Sequence, residues 1–356
     1  MAQLRYLDPS PFDVFVGIDV DKKSYAVTFK NKQNQEYRSF KMPSNPSSLM
    51  SYFEKRCPNA RIAYAYEAGP TGYGLHDALK EHGQECIMVH PGNIEKAPKD
   101  RVKTNRLDSR KITMLAQSGR LPGIHVPEDA YRHLRHLCSS RQQYAGDQRR
   151  AKQRIESFLL FEGINLPSLE ESRWSAHHIK ILKELKLDSV RRFRLDGILS
   201  DLGYAREKLL VCHKRLREFY QENPVIRRHI ELLRTIPGFG FVVSAYFLSR
   251  IGDPKNLGSV RQIGSFAGVV PQERSTGETI HKGGITHMGD PVLRSLLVEA
   301  GWAAIRKDTE LGQFYHRIKS KNRGEKGPRI AIVAVARKLT QRAHRVLKDQ
   351  SPYIVR

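Results

Sequence analysis

The sequence predicts an α/β N-terminal region built on one sheet, a helical coiled-coil middle and a mostly α-helical C-terminal region. Three observations predict this. Short apolar runs of strand length alternate with helical stretches between residues 14 and 125. A heptad seam then runs through residues 195–219. Beyond Pro224, apolar helical stretches flank a segment rich in Gly, Ser and Thr. The expected domains are 1–125, 126–223 and 224–356.

The elements follow in order. Val14 to Val20 is an apolar run suited to a buried strand. Tyr25 to Phe29 returns after the polar break Asp21-Lys22-Lys23, and Tyr37 to Lys41 reads as a third strand. Pro46 to Lys55 reads as a helix and Arg61 to Tyr66 as a fourth strand ending at Glu67. Gly69-Pro70 breaks it, a helix is expected from Thr71 to about His82, and Glu85 to Val89 is a fifth strand. Thr104 to Ser118 closes the region as a helix. In the middle, Leu195, Ile198, Leu202, Ala205, Leu209, Cys212, Leu216 and Phe219 step by three and four. Leu137, Tyr144, Ala151 and Phe158 recur every seven residues upstream. The two seams pair with each other or with another subunit; periodicity leaves both open. Later, helices are expected over Val242–Ile251, Pro291 to Arg306 and Pro328–Leu347, with a loop from Pro271 to Asp290.

Charge is the strongest global signal. The 356 residues hold 61 Lys and Arg against 37 Asp and Glu, a net +24. Such an excess points to a polyanionic partner, because neutralising phosphates releases condensed counterions. Between Arg306 and Lys348, 13 basic residues face 3 acids. No apolar run approaches the roughly 20 residues of a membrane span, and the first residues lack the apolar core of a secretory signal. The four cysteines are far apart and form no CxxC pair, which fits free thiols in a reducing compartment. The expected location is therefore cytoplasmic, associated with the nucleoid, with no membrane contact.

Asp19 ends the first strand and Glu67 the fourth, so neighbouring strands would bring both to one edge. Asn105, Asp108, Ile112 and Leu115 share one helical face, and the apolar members must turn toward the sheet. Carboxylates gathered there repel unless a cation offsets them, and oxygen-only ligands favour Mg²⁺ or Mn²⁺. A turn cap at Asp19 and a surface ion pair at Glu67 are the plainer explanation of the same residues.

Gly17-Ile18-Asp19-Val20-Asp21, Tyr66-Glu67-Ala68-Gly69-Pro70-Thr71-Gly72 and Val102-Lys103-Thr104-Asn105-Arg106-Leu107-Asp108-Ser109 resemble the three blocks of the DEDD transposases, insertion-sequence family one-hundred-ten. Ile236 to Gly240, Phe266 to Pro271 and Gly284 to Asp290 resemble that family's second domain. The resemblance implies a RuvC-like, RNase H-type first domain and a C-terminal transposase domain. It also implies recombination guided by a structured RNA from the element itself, a bridge RNA. One departure stands out: the family's third acid matches Asn105, a neutral oxygen ligand, with Asp100 or Asp21 as less favoured substitutes.

The resemblance further implies a nucleophilic serine just before a glycine. Here Thr276 precedes Gly277 and Ser275 stands one place earlier. Alignment favours Thr276; the less hindered primary hydroxyl favours Ser275. An ordinary Ser-Thr-Gly turn is the competing explanation. Pro237-Gly238-Phe239-Gly240 looks like a helix-hairpin-helix turn, with Gly238 and Gly240 letting backbone N–H groups approach phosphates. Lys96, Lys99, Arg101, Lys103 and Arg106 form a basic stretch beside the carboxylates. Arg317, Lys319, Lys321, Arg323, Lys326 and Arg329 form a second, with Phe314 and Tyr315 as stacking candidates. His281 and His287 read as surface histidines. The expected function is guide-RNA-directed DNA recombination by a homo-oligomer, with Mg²⁺ (or Mn²⁺) at Asp19, Glu67, Asn105 and Asp108. Two alternatives are a RuvC-like endonuclease using metal-activated water and a non-catalytic RNA/DNA-binding protein.

Overall fold

A computed structural model describes residues 5–33, 36–94, 105–166, 173–276, 279–322 and 324–355. The chain divides into two compact units, Met1–Pro127 with Asn256–Gly258, and Glu128–Lys255 with Ser259–Arg356.

The first unit contains β1 (Arg5–Tyr6), β2 (Val14–Val20), β3 (Ser24–Asn31), β4 (Tyr37–Pro43), α1 (Pro46–Arg56), β5 (Ile62–Glu67), α2 (Gly74–Glu81), β6 (Glu85–Val89), α3 (Asn105–Gln117) and β7 (Pro122–Ile124). Its strands form one mixed sheet in the order β1-β7-β6-β5-β2-β3-β4. The polar break at Asp21–Lys23 is short enough for β3 to return antiparallel beside β2, and β4 returns beside β3. β5 and β6 come back parallel after the crossover helices α1 and α2. Alternation then sorts the side chains onto two faces. Val14, Val16, Ile18, Tyr64 and Tyr66 pack with Leu49, Phe53 and Leu79 of α1 and α2. Phe15, Ala63, Ala65, Ile87 and Val89 pack with Ile112, Leu115 and Ala116 of α3.

The helix expected from Thr71 starts later, at Gly74. Gly72 has φ +68, a left-handed conformation that cannot begin a right-handed helix, and its carbonyl accepts the Tyr66 hydroxyl at 3.2 Å.

The second unit holds α4 (Asp129–Phe161), α5 (Ala176–Glu184), α6 (Ser189–Glu222), α7 (Pro224–Arg234), α8 (Phe241–Ile251), α9 (Val260–Phe266), β8 (Pro271–Thr276), β9 (Thr279–Ile285), α10 (Pro291–Ala304), α11 (Thr309–Lys321) and α12 (Gly327–Asp349). The two seams pair within the chain. Ala151, Ile155 and Phe158 of α4 pack with Leu195, Leu199 and Leu202 of α6. Leu182 of α5 joins that cluster. The sequence reading did not include α5; Ser175 caps it by accepting the His178 N–H at 3.1 Å. The loop expected over Pro271–Asp290 is a hairpin, β8 antiparallel to β9, with an irregularity between Pro271 and Glu273. Its sequence carries no period-two apolar signal. α12 carries many basic residues, yet Ala331, Val335, Leu339 and Ala343 along it are fully buried.

Candidate active site

The sheet register sets out the first unit's site row by row. Gly17 pairs with Thr28 on β3 and with Ala65 on β5, and Thr28 pairs with Ser39 on β4. α3 lies on this row. A Cβ on Gly17 would stand 2.2 Å from the Ser109 carbonyl and 2.5 Å from Thr113 Oγ1, so only glycine admits the helix this close. Four hydroxyls then fasten it. Thr28 Oγ1 bonds to Ser109 Oγ at 2.7 Å and to Ser39 Oγ at 2.9 Å. Thr113 Oγ1 donates to the Thr28 carbonyl at 2.9 Å and accepts the Gly17 N–H at 3.0 Å. Thr28, Ser109 and Thr113 are fully buried, so these polar groups are satisfied by one another. Sequence reading passed over them. The visible signal was Ser109 and Thr113, four apart beside the Asp108–Ile112 face.

The next row on the same face is chemical. Asp19 pairs with Ala26, and Ala26 with Lys41. Glu67 lies one step beyond the Ile18–Tyr66 pair, at the end of β5 beside Asp19. Adjacent parallel strands therefore carry Asp19, next to last on β2, and Glu67, last on β5, on the α3 face. Arg106 of α3 lines a hollow with Ala26 and Lys41, while Ile112 meets Phe15's cluster. α3 thus runs against β2 and turns its first residues to the acidic edge, where its dipole favours negative charge. Asp108 lies in that first turn, and Asn105 opens the helix. Asp19, Glu67 and Asp108 are all half-buried. Among the described residues, no three His, Cys, Asp or Glu side chains stand close enough to hold a metal ion. The carboxylates share one edge without closing on one point. The donor set is oxygen only, which suits Mg²⁺ or Mn²⁺.

Lys96, Lys99, Arg101, Lys103 and Asp100 lie outside the described residues, as do Gly277 and Arg323. Arg106 is exposed.

In the second unit, Ser275 pairs with Ile280 and Thr276 with Thr279, which puts both candidate nucleophiles at the tip end of β8. The root of that hairpin is locked. Gly268 (φ +67) and Gly289 (φ +89) cross so closely that a Cβ on either would meet the opposing backbone, at 2.2 Å from the Met288 carbonyl and 2.3 Å from the Phe266 carbonyl. Asp290 caps α10 through the Val292 and Leu293 N–H groups, pairs with Arg250 at 2.8 Å and accepts the Tyr246 hydroxyl at 3.2 Å.

Gly238, in the turn between α7 and α8, has φ +88, and a Cβ there would meet the Ala300 carbonyl at 2.2 Å. Its missing side chain therefore serves packing on α10. Gly240 is exposed and N-caps α8. Arg317, Lys319 and Lys321 are exposed on α11, and Lys326 and Arg329 are exposed at the start of α12. Tyr315 is not available for stacking: it is 6% exposed and packs edge-on against Trp302. Phe314 is only half-buried, with Arg317 at 5.4 Å and Lys338 at 5.5 Å from its ring. Lys338, seventeen residues beyond the end of α11, was not part of the expected basic strip.

Comparison with known proteins matches both units. A DEDD transposase family model covers residues 16–162. A second, described as the transposase IS116/IS110/IS902 family, covers residues 230–316. The chain is thus a transposase, an enzyme that binds and recombines DNA. It belongs to the IS116/IS110/IS902 family of insertion-sequence transposases. It is 30% identical to a putative transposase of Sinorhizobium fredii, y4qE, over 82% of this chain and 71% of that protein. It is 25% identical to the transposase of insertion sequence IS1533 of Leptospira borgpetersenii, over 95% and 97%. A pilin gene-inverting protein of Moraxella bovis is 30% identical over 36% of this chain and 40% of its own length. DEDD domains of this kind generally use divalent metals. Among the described residues, no helix is long and apolar enough to cross a membrane.

Proposed function

We propose that this chain is a guide-RNA-directed DNA recombinase whose RuvC-like first domain aligns a phosphodiester for attack by a hydroxyl of the β8–β9 hairpin. One observation carries the reading: Asp19 and Glu67 stand side by side at the C-terminal ends of adjacent parallel strands on the face that α3 covers, with Asp108 in that helix's first turn. The sheet order, three antiparallel strands followed by parallel ones, supports an RNase H-type fold. Asp19, Glu67 and Asp108 would hold Mg²⁺ (or Mn²⁺), with Asn105 as a neutral ligand. The ion supplies Lewis-acid stabilisation of the phosphodiester oxygens.

In the covalent step, the oxygen of Ser275 or Thr276 bonds to phosphorus as one bridging P–O bond of DNA breaks. The hydroxyl proton passes to solvent, and the departing oxygen takes a proton. Rejoining reverses the step on a new end, so bond energy is retained and no co-substrate is consumed. The net +24 charge fits both a DNA substrate and a structured guide RNA. Cutting several strands together calls for a homo-oligomer.

The test is a cleavage assay with Mg²⁺ and the element's RNA on wild type, Asp19→Ala, Ser275→Ala and Thr276→Ala. We expect a covalent protein–DNA adduct in wild type, absent from Asp19→Ala and from one of the two hydroxyl variants. Full activity in both hydroxyl variants without an adduct would instead support hydrolysis by metal-activated water.

A further inference from the structure

The row that ends in Asp19 and Glu67 begins with a cation. Lys41, Ala26, Asp19 and Glu67 lie side by side across β4, β3, β2 and β5 on the α3 face. Strands stand about 4.8 Å apart, so Lys41 starts roughly 10 Å from Asp19, two strands away. The residue between them is alanine, which leaves the space above it open. That space is a hollow of 290 Å³ lined by Ala26, Ser39, Lys41, Arg106 and Ser109, among others. Arg106 enters from α3 and Lys41 from the sheet edge. Both are exposed, and neither makes an ion pair among the described residues. Two cations lining one hollow over a small residue, with no acid in that lining, repel each other unless an anion lies between them.

We propose that Lys41 and Arg106 form a seat for one backbone phosphate of the DNA strand being cut. That phosphate flanks the one presented to Asp19 and Glu67. The proposal rests on the reading that those carboxylates face the scissile phosphodiester. A strand crossing the row would put its scissile phosphate at the acidic end and a neighbouring phosphate over Ala26. The seat would then fix the strand's register on the sheet without reading its sequence. Its recognition element is charge, supplied by an arginine fork and a lysine point charge.

The test is binding of the full chain to duplex DNA in EDTA, followed by anisotropy over a range of salt. Each phosphate contact contributes about 0.9 to the slope of log K against log salt. Lys41→Gln and Arg106→Gln should each lower the slope by about that amount on every duplex sequence, and the double variant by about twice as much. Lys41→Arg should restore it. Lys55→Gln, an exposed charge change on α1, should leave the slope unchanged. Unfolding temperature, followed in parallel, should not move. A slope unchanged in both single variants overturns the seat. So does a change seen equally with Lys55→Gln, or one seen with RNA hairpins alone. Because EDTA prevents any metal-dependent cutting, the slope change supports the seat even where the cleavage assay refutes the proposed chemistry.

Discussion

Gly17→Ala isolates the contact that brings α3 to the acidic edge. The added Cβ would stand 2.2 Å from the Ser109 carbonyl, where ordinary contact begins at 3.4 Å. The helix must therefore rise by about 1.2 Å. The obstacle is backbone on both sides, so no rotamer change relieves it. Overpacking of this kind costs about 1–3 kcal/mol. The same rise stretches the 3.0 Å bond from Gly17 N–H to Thr113 Oγ1 beyond hydrogen-bond range, adding about 0.5–1.5 kcal/mol. The expected loss is about 2–4 kcal/mol, measured by urea denaturation. Cleavage should fall further than stability explains, because an ångström of misplacement near the reacting atoms costs about a hundredfold in rate. Thr113→Val is the companion variant: it keeps the volume, deletes the hydroxyl and should cost about 1–3 kcal/mol. If Gly17→Ala changes stability by less than about 0.5 kcal/mol and leaves cleavage intact, α3 is not seated on β2 as described.

Two further predictions concern the second unit. Asp308 has a fully buried side chain that accepts the Leu311 N–H at 2.9 Å and the Tyr353 hydroxyl at 3.1 Å, and it pairs with Arg342 at 2.6 Å. Arg342→Met should cost about 3–5 kcal/mol by stranding that carboxylate, and adding Asp308→Asn should recover much of it; a purely additive double variant would refute the ion-pair account. His229 is buried against Tyr131, and burial holds its imidazole below the ordinary histidine value despite Asp253 nearby. Protons therefore bind the unfolded chain first, so stability is complete above about pH 6.5 and falls as pH drops from there to the depressed native value, by at most about 1.4 kcal/mol per pH unit. His229→Gln should flatten that part of the stability profile, and an unchanged slope in the variant would rule His229 out as its source.

Five of the first unit's seven strands were legible as short runs between clear breaks, and β6 matches its expected span residue for residue; β1 and β7, two and three residues long, are too short to show a pattern. Asp19 and Glu67 were legible as strand ends. Their adjacency was not, since nothing in the chain states that β5 returns beside β2; the crossover through α1 decides it. Asp108 followed from helical spacing with Ile112 and Leu115. Lys41 was read only as the end of a strand, because its relation to Asp19 exists only through the register of two intervening pairings. The β8–β9 hairpin was hidden for a different reason: its stability comes from backbone pairing and from glycine crossings at its root, and neither writes a hydrophobic period. Tyr315 shows the opposite error. An aromatic among basic residues looked like a stacking surface, but helix α11 turns it inward to Trp302.

The crossing of Gly268 and Gly289 has a mechanical consequence. Backbone pressed against backbone leaves no side chain to yield, so the hairpin has no hinge where it joins α9 and α10. A ribbon anchored this way can flex along its length, but it cannot swing as a door does. Small travel of Ser275 or Thr276 must come from bending near the irregularity between Pro271 and Glu273. Changes in ribbon length at the tip would alter reach while leaving the anchor untouched, which makes the hairpin a natural place to exchange between related recombinases.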